Sequence, residues 1–327
     1  MKKSRWILGI GFIVVLVGLI YFINALSNGK PEHIYRVGIF QVVRHPVLDE
    51  MANSFQDSLK EKYPNRVQFD LQVPEGDAGK TEQMAQSFAS GSYDIVFVIG
   101  TNLAQSLAKK TKTLPIVLGG ATDPQAAGLV DSWEKPGRNI TGTSDLSPVA
   151  LQLDRLREIL PQAKRIGIIY NPSEDNSKII LAHFNQQCQQ EGLSSVSVTI
   201  SSPNDMQQTV VVLVGKIDAL YAPTDATVQS AFPALIKVAN EVKIPVFNCD
   251  EGTAKKGAIF SVGFNYKDLG RTSAEMTASI LDKKSNPQDM PIRLVGRSTL
   301  YYNVKQIQTL GLTLPKSWTE IGVNVSE

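Results

Sequence analysis

The feature that most constrains this chain is an internal duplication. Residues 166–177, IGIIYNPSEDNS, are an apolar run that stops at Tyr170 and gives way to Asn, Pro, Ser, Glu and Asp. That pattern predicts a buried strand delivering a polar loop to a helix running on through residue 190. Ser173 or Asp175 suits the cap of that helix, and Asn176 and Ser177 then fall in its first turn, where unpaired backbone N–H groups attract an anion such as a small carboxylate. An ordinary βα turn has much the same composition, so this stretch gains weight from its counterpart. Residues 35–50, YRVGIFQVVRHPVLDE, repeat the order of basic residue, apolar run, polar break and amphipathic helix, here through residue 58. Further on, 94–101 (DIVFVIGT) matches 218–225 (DALYAPTD), and 114–123 (LPIVLGGATD) matches 244–251 (IPVFNCDE).

Each half is therefore a βαβα series whose strands end in polar residues. The 327 residues suffice for two cores of ordinary size. The expected fold class is α/β, with two doubly wound parallel-sheet lobes joined by a three-segment hinge and preceded by an amino-terminal transmembrane helix. The first lobe takes strands at 37–40, 67–73, 94–100 and 114–118 and helices from Pro46, at 79–90 and at 101–110, the last capped by Thr101 or Asn102. The run VFVIG is apolar at every position, as befits a strand buried on both faces. The second lobe takes a helix at 149–160 and strands at 165–170, 195–200, 219–222, 245–248 and 258–262. Residues 139–145, the long helix 265–281 and residues 293–303 are the three crossings. The domains are then 1–33 as anchor or signal segment and tether, 34–143 plus 264–295 as lobe 1, and 144–263 plus 296–327 as lobe 2. In open α/β sheets a ligand sits off the carboxyl ends of the strands, so two such halves facing each other enclose a cleft lined by those ends.

Composition narrows the function. A net charge of +2 with 43% hydrophobic and 20% charged residues leaves no basic surplus for nucleic acid. The three histidines, His33, His45 and His183, and the two cysteines, Cys188 and Cys249, have no metal-site spacing, and no metal or cofactor is expected. The cysteines suit either a disulfide or two buried thiols. No G-x-S-x-G and no Ser, His and Asp set at matching strand ends argues for catalysis. At the amino terminus, Lys2, Lys3 and Arg5 precede residues 6–23, which carry no charge and make a helix of roughly 27 Å at the standard rise. An uncleaved anchor with its amino terminus in the cytoplasm is the preferred reading, placing the rest on the extracellular face. A cleaved signal, with Ala25 and Ser27 at the cut, is the alternative. Residues 24–32 form a short polar tether.

The pieces RHPVLDE (44–50), PEGDAGK (74–80), ATDPQAAGLV (121–130), NITGTSD (139–145), YNPSEDNS (170–177), PTDATV (223–228) and GAIFSVGFNYKDLGRTSAEMTA (257–278) occur in this order. With them, the chain resembles ABC-transporter substrate-binding proteins of the periplasmic-binding-protein-like I fold, in the tryptophan/tyrosine branch. The resemblance implies a monomer that captures a small extracellular solute and delivers it to a membrane permease driven by a cytoplasmic ATPase. It implies no enzyme activity, and the chain has no phosphate-binding G-x-x-x-x-G-K-[ST] loop of its own.

An α-amino acid needs donors for its carboxylate, an acceptor for its ammonium and an apolar wall for its side chain. Candidate donors are Asn176 and Ser177, Thr101 and Thr224, with Thr122 in the glycine-rich break. Candidate acceptors are Asp225, Asp145 and Asp250, with Asp225 placed first because it ends a wholly apolar strand. Phe40, Gln41 and Phe247 are candidates for the wall. Asp123 and Asp145 equally suit turn braces, Phe40 and Phe247 suit core positions better than a wall, His45 reads as a solvated loop residue, and Glu174 and Glu251 read as rim charges. A sugar or nucleoside receptor of the same fold is the competing reading, although Trp133 and Trp318, the tryptophans outside the anchor, lie at no strand end. An extracellular ligand-sensing domain acting through a partner is the other.

Overall fold

The alternation of apolar runs and amphipathic stretches becomes two sheets with helices on both faces. The computed structural model describes residues 33–295 and 298–326. The chain divides into two compact units, residues 1–34 and 35–327, and both sheets belong to the second. The expected membrane helix over 6–23 lies outside the described residues. Among the described residues no helix is long and apolar enough to cross a membrane.

The first sheet takes β1 (Tyr35–Gln41), β2 (Val67–Gln72), β3 (Ile95–Ile99), β4 (Ile116–Leu118), β5 (Ile140–Ser144) and the short β11 (Arg293–Leu294), all parallel, in the order β11-β5-β4-β3-β1-β2. Its helices are α1 (Pro46–Lys62), α2 (Ala78–Ser90), α3 (Thr101–Lys110) and α10 (Tyr266–Leu281). The period-two geometry of a strand divides β3 between two cores. Ile95, Phe97 and Ile99 join Met51 and Phe55 of α1 and Leu269 of α10. Val96 and Val98 join Phe88 of α2 and Leu103 of α3. Each fully buried side chain of this size stabilises by roughly 1.5–3 kcal/mol, which is why β3 carries no polar residue. Gly270 lets α10 lie against α1, since a Cβ there would come 2.3 Å from the Met51 carbonyl oxygen. Expected to end at residue 58, α1 continues to Lys62 because Leu59 extends its buried stripe and Lys60 and Lys62 suit a helix carboxyl end.

The second sheet takes β6 (Arg165–Tyr170), β7 (Ser194–Thr199), β8 (Ala219–Tyr221), β9 (Val246–Asn248), β10 (Phe260–Gly263), β12 (Thr299–Tyr302) and β13 (Gly322–Asn324), in the order β13-β12-β10-β9-β8-β6-β7. Around it lie α4 (Val149–Ile159), α5 (Asp175–Gln190), α6 (Met206–Val212), α7 (Ala226–Ser230), α8 (Phe232–Glu241), α9 (Glu251–Lys255), α11 (Val304–Thr309) and α12 (Trp318–Ile321). The orders β2-β1-β3-β4-β5 and β7-β6-β8-β9-β10 are the same, so the matched stretches of sequence occupy equivalent strands. The second sheet departs from the expected all-parallel form where β12 runs antiparallel to β10. The chain leaves β10 at its carboxyl end for α10 and comes back from the first sheet at that same end, so β12 must run the other way. It passes between the sheets three times, after β5, after β10 and between β11 and β12.

Two helix starts differ from expectation. Gly100, with φ of 126°, is the residue before α3, so Thr101 and Asn102 lie inside its first turn. Glu174, rather than Ser173 or Asp175, precedes α5, and its side chain makes no bond to that helix. Cys188 and Cys249 are both buried free thiols.

Candidate functional site

The carboxyl ends of both sheets face a cavity of about 310 Å³, within the usual size of a small-molecule site. From the first sheet come the loop after β1, the Gly100–Asn102 turn, Gly119 and Gly120 after β4, and Asp145 after β5. From the second come Glu174, Thr224, Ala226, Gln229, Ser230, Asp250 and Lys256, with Tyr266 at the start of α10.

Of the residues singled out from sequence, Thr101, Thr122, Asp145, Asn176, Thr224 and Asp250 line this cavity. Phe40, Gln41, Ser177 and Asp225 do not. Phe40 is fully buried with its ring centroid 5.2 Å from that of Phe88, because alternation along β1 turns it into the core. Gln41 is also buried and donates to Val43 O at 2.9 Å and Asp49 Oδ1 at 2.6 Å, bracing the loop after β1. Phe247 lies in the core between Tyr221 and Phe260.

Asp225 is the main displacement. It is fully buried and caps α7, accepting from Val228 N at 2.9 Å, from Asn171 N at 2.6 Å and from Ser177 Oγ. Its reason to end an apolar strand is thus a helix start. Glu174, read as a rim charge, joins it there: its carboxylate accepts from Ala226 N at 2.9 Å, Thr227 N at 3.1 Å and Thr227 Oγ1 at 2.8 Å. Burial and then the Asp225 charge push Glu174 above the ordinary carboxylate range. No local signal reveals this contact, since the partners are about fifty residues apart. Asp250 is buried and half committed, accepting from Thr253 N and Thr253 Oγ1, each at 3.0 Å, at the start of α9; burial raises its pKa.

Asp145 is different. Its one side-chain partner is Thr122 Oγ1 at 3.4 Å, and among the described residues it makes no ion pair. Burial in the cleft pushes its pKa up to about 7. A carboxylate in that state gains when a cation arrives, because the cation replaces the hydration it has lost.

The start of α3 is the complementary feature. No side chain caps it, and Thr101 and Asn102 line the cavity, so the positive end of a ten-residue helix lies at the cavity. Asn102 Oδ1 also accepts from Asp175 N of α5 at 3.3 Å, joining the two sheets' helices across the cavity. Asn176 donates from Nδ2 to Thr224 O at 3.1 Å, which holds the far wall. Val42, Val47, Met51, Pro233 and Tyr266 supply apolar surface. His45, read as solvated, lines the cavity before α1; burial first, then Lys256, lower its pKa, which favours the neutral ring. Gln229, Lys256 and Tyr266 also line it and were not singled out from sequence. Gln229 lies four residues beyond Asp225, one turn on, which is the signal that was there to be used.

The chain is similar to known proteins along nearly its whole described length. The family model described as ABC transporter substrate binding protein matches residues 36–323. A tyrosine-binding protein of Clostridioides difficile (strain R20291) is 36% identical over 292 residues, covering 88% of this chain and 84% of that protein. The crystal structure of an ABC domain in complex with L-Trp from Streptococcus pneumoniae superposes with a TM-score of 0.85 at 33% identity, covering 89% of this chain and 99% of that one. The ligand-free, open structure of a substrate-binding protein with adhesive properties from Clostridium difficile gives 0.70 at 36% identity, covering 90% and 99%. With a two-sheet α/β fold of the type I periplasmic-binding-protein kind, and with the family match spanning nearly all of the described residues, the chain belongs to the ABC transporter substrate binding proteins.

Proposed function

We propose that this chain captures an aromatic L-amino acid, tryptophan or tyrosine, between lobe 1 (34–143 plus 264–295) and lobe 2 (144–263 plus 296–327). It then hands the ligand to an ABC permease driven by a cytoplasmic ATPase. The observation that carries the reading is Asp145, a cavity carboxylate with no ion-pair partner among the described residues, in the same cleft as an uncapped helix start. In this reading Asp145 takes the ammonium, and the Thr101 and Asn102 N–H groups with the Thr224 hydroxyl take the carboxylate. Val42, Val47, Met51, Pro233 and Tyr266 enclose the side chain. Asn176, Thr122 and Asp250 form the polar floor, and Asp225, Ser177, Gln41 and Phe40 support it from behind.

The ligands of the relatives, tyrosine and L-Trp, favour this class of solute. The higher TM-score with the L-Trp complex than with the open form, at similar identity, supports a closed arrangement of the lobes. Closure about the three connecting segments comes from contacts that only a ligand touching both lobes can make. We place the protein on the outer face of the cell membrane, held by residues 6–23.

The test is a thermal-shift screen of the full chain in mild detergent against the twenty amino acids, common sugars and nucleosides. A ligand that binds only the native state stabilises it by about 2.7 kcal/mol at a hundredfold excess over Kd. A rise in melting temperature with tryptophan or tyrosine is expected. A rise confined to sugars or nucleosides would leave the fold intact and replace the ligand.

A further inference from the structure

The first turn of α5 is completed by a residue of the other sheet's helices. Glu174 precedes α5 but gives its carboxylate to α7, so the residue in the capping position leaves the helix uncapped. The Asp175 N–H is one of the donors that a helix start leaves without a partner inside the helix. It donates to Asn102 Oδ1 of α3 at 3.3 Å, and an asparagine oxygen is among the best acceptors at a helix start. Gln105 lies three residues beyond Asn102, on the same face of α3. Lys178 first, against the effect of burial, and then Gln105 and Lys109 hold the Asp175 carboxyl below its ordinary range. A second contact joins the two sheets' helices elsewhere at the cavity, where a Cβ on Gly252 of α9 would stand 3.5 Å from Val47 Cγ1 of α1. The two halves thus touch at two places through protein atoms alone.

We infer that the Asn102–Asp175 bond is a latch that favours the closed arrangement of the two lobes, with or without ligand, and that Asn102 is thereby a positioning residue for capture. This rests on capture of a solute between the lobes and is indifferent to which solute. Opening the lobes parts α3 from α5, and the Asp175 N–H then exchanges an amide oxygen for water. A contact made only in the closed arrangement raises its share, and every ligand that binds this arrangement gains by the same factor. The net worth of one hydrogen bond sets that factor at about threefold to tenfold. The bond uses the Asn102 side chain and leaves its backbone N–H to the role proposed above.

Asp175 is the first residue of α5, where proline is well tolerated, and the extended backbone of Glu174 suits a following proline. Asp175→Pro therefore deletes the N–H, while Asp175→Ala keeps it and loses only the carboxylate. Titration calorimetry of the full chain in mild detergent, with L-tryptophan and L-tyrosine, compares these two with Asn102→Ala and with the Asn102→Ala, Asp175→Pro double variant. Asp175→Pro is expected to bind both ligands about threefold to tenfold more weakly than Asp175→Ala. Asn102→Ala should lose as much relative to wild type, and should lose nothing further in the Asp175→Pro background. Equal binding by Asp175→Pro and Asp175→Ala, or losses that add, would overturn the inference. Spin labels at Lys80→Cys and Gln207→Cys, exposed in the helices after the edge strands β2 and β7, read closure with no ligand present. The share of short label distances in the otherwise wild-type chain is expected to shrink with Asp175→Pro, and equal distributions would overturn the latch even if tryptophan binds. Binding of neither amino acid, with the short distances still lost in Asp175→Pro, would sink the amino-acid reading and leave the latch standing.

Discussion

Asp225 and Asp145 both follow strand ends at the mouth of one cleft, yet the fold treats them differently. Asp225 receives three bonds from protein donors, two of them backbone N–H groups, and does not face the cavity. Asp145 receives one long bond from Thr122 and does. The first is a finished structural contact. The second keeps most of its hydrogen-bond capacity, which is why we propose it as the partner of the ligand's ammonium. Position at a strand end thus places a polar residue near the cavity, and its remaining hydrogen-bond capacity is what makes it a candidate ligand contact.

The comparison breaks most easily at Asp145. Asp145→Asn is expected to lower amino-acid affinity by about a hundredfold, ~3 kcal/mol for an ammonium left without its charged partner. The ligand-free protein should melt no lower than wild type, because a poorly paired carboxylate has been neutralised. Calorimetry with a parallel melting curve reads both effects. Unchanged affinity would mean that the ammonium lies elsewhere, with Asp250 the next candidate.

Asp225→Ala should do the reverse. Losing a helix cap and orphaning buried donors costs about 2 kcal/mol of stability. Denaturant unfolding would show this, while all ligands should weaken together and by less than with Asp145→Asn. Selective loss of one ligand would place Asp225 in the site after all.

A smaller effect, graded with pH, sharpens the contrast. The folded pKa of Asp145 is raised from 3.8 to about 7, so the native state holds its proton more tightly than the unfolded chain between those values. Stability contributed by that proton is present at the acid end and is lost as pH rises through about 7. Binding needs the carboxylate charged, so affinity should fall as pH drops below 7, by up to about tenfold per unit. Titrations at pH 5.5 and 7.5 check this, and Asp145→Asn should flatten the profile.

Much of the architecture is legible in the amino-acid order. The apolar run of β3 and the alternation that divides its side chains between two cores require a sheet covered on both faces. The repeated strand-to-polar-loop pattern requires that sheet twice, and Thr101, Thr122, Asp145, Asn176, Thr224 and Asp250 follow from where its strands stop. These are local features, set by chain periodicity and by the limits on burying polar groups. What only the tertiary structure decided is where each polar atom's hydrogen bonds go. Glu174 turns to α7 rather than to its own helix, Asp225 is enclosed by Asn171 and Ser177, and β12 reverses because the chain returns from the other sheet. Each depends on groups far apart in sequence meeting in space. Hydrogen-bond satisfaction belongs to the assembled fold, so the sequence marked the neighbourhood of the site and the fold chose the atoms left to hold a ligand.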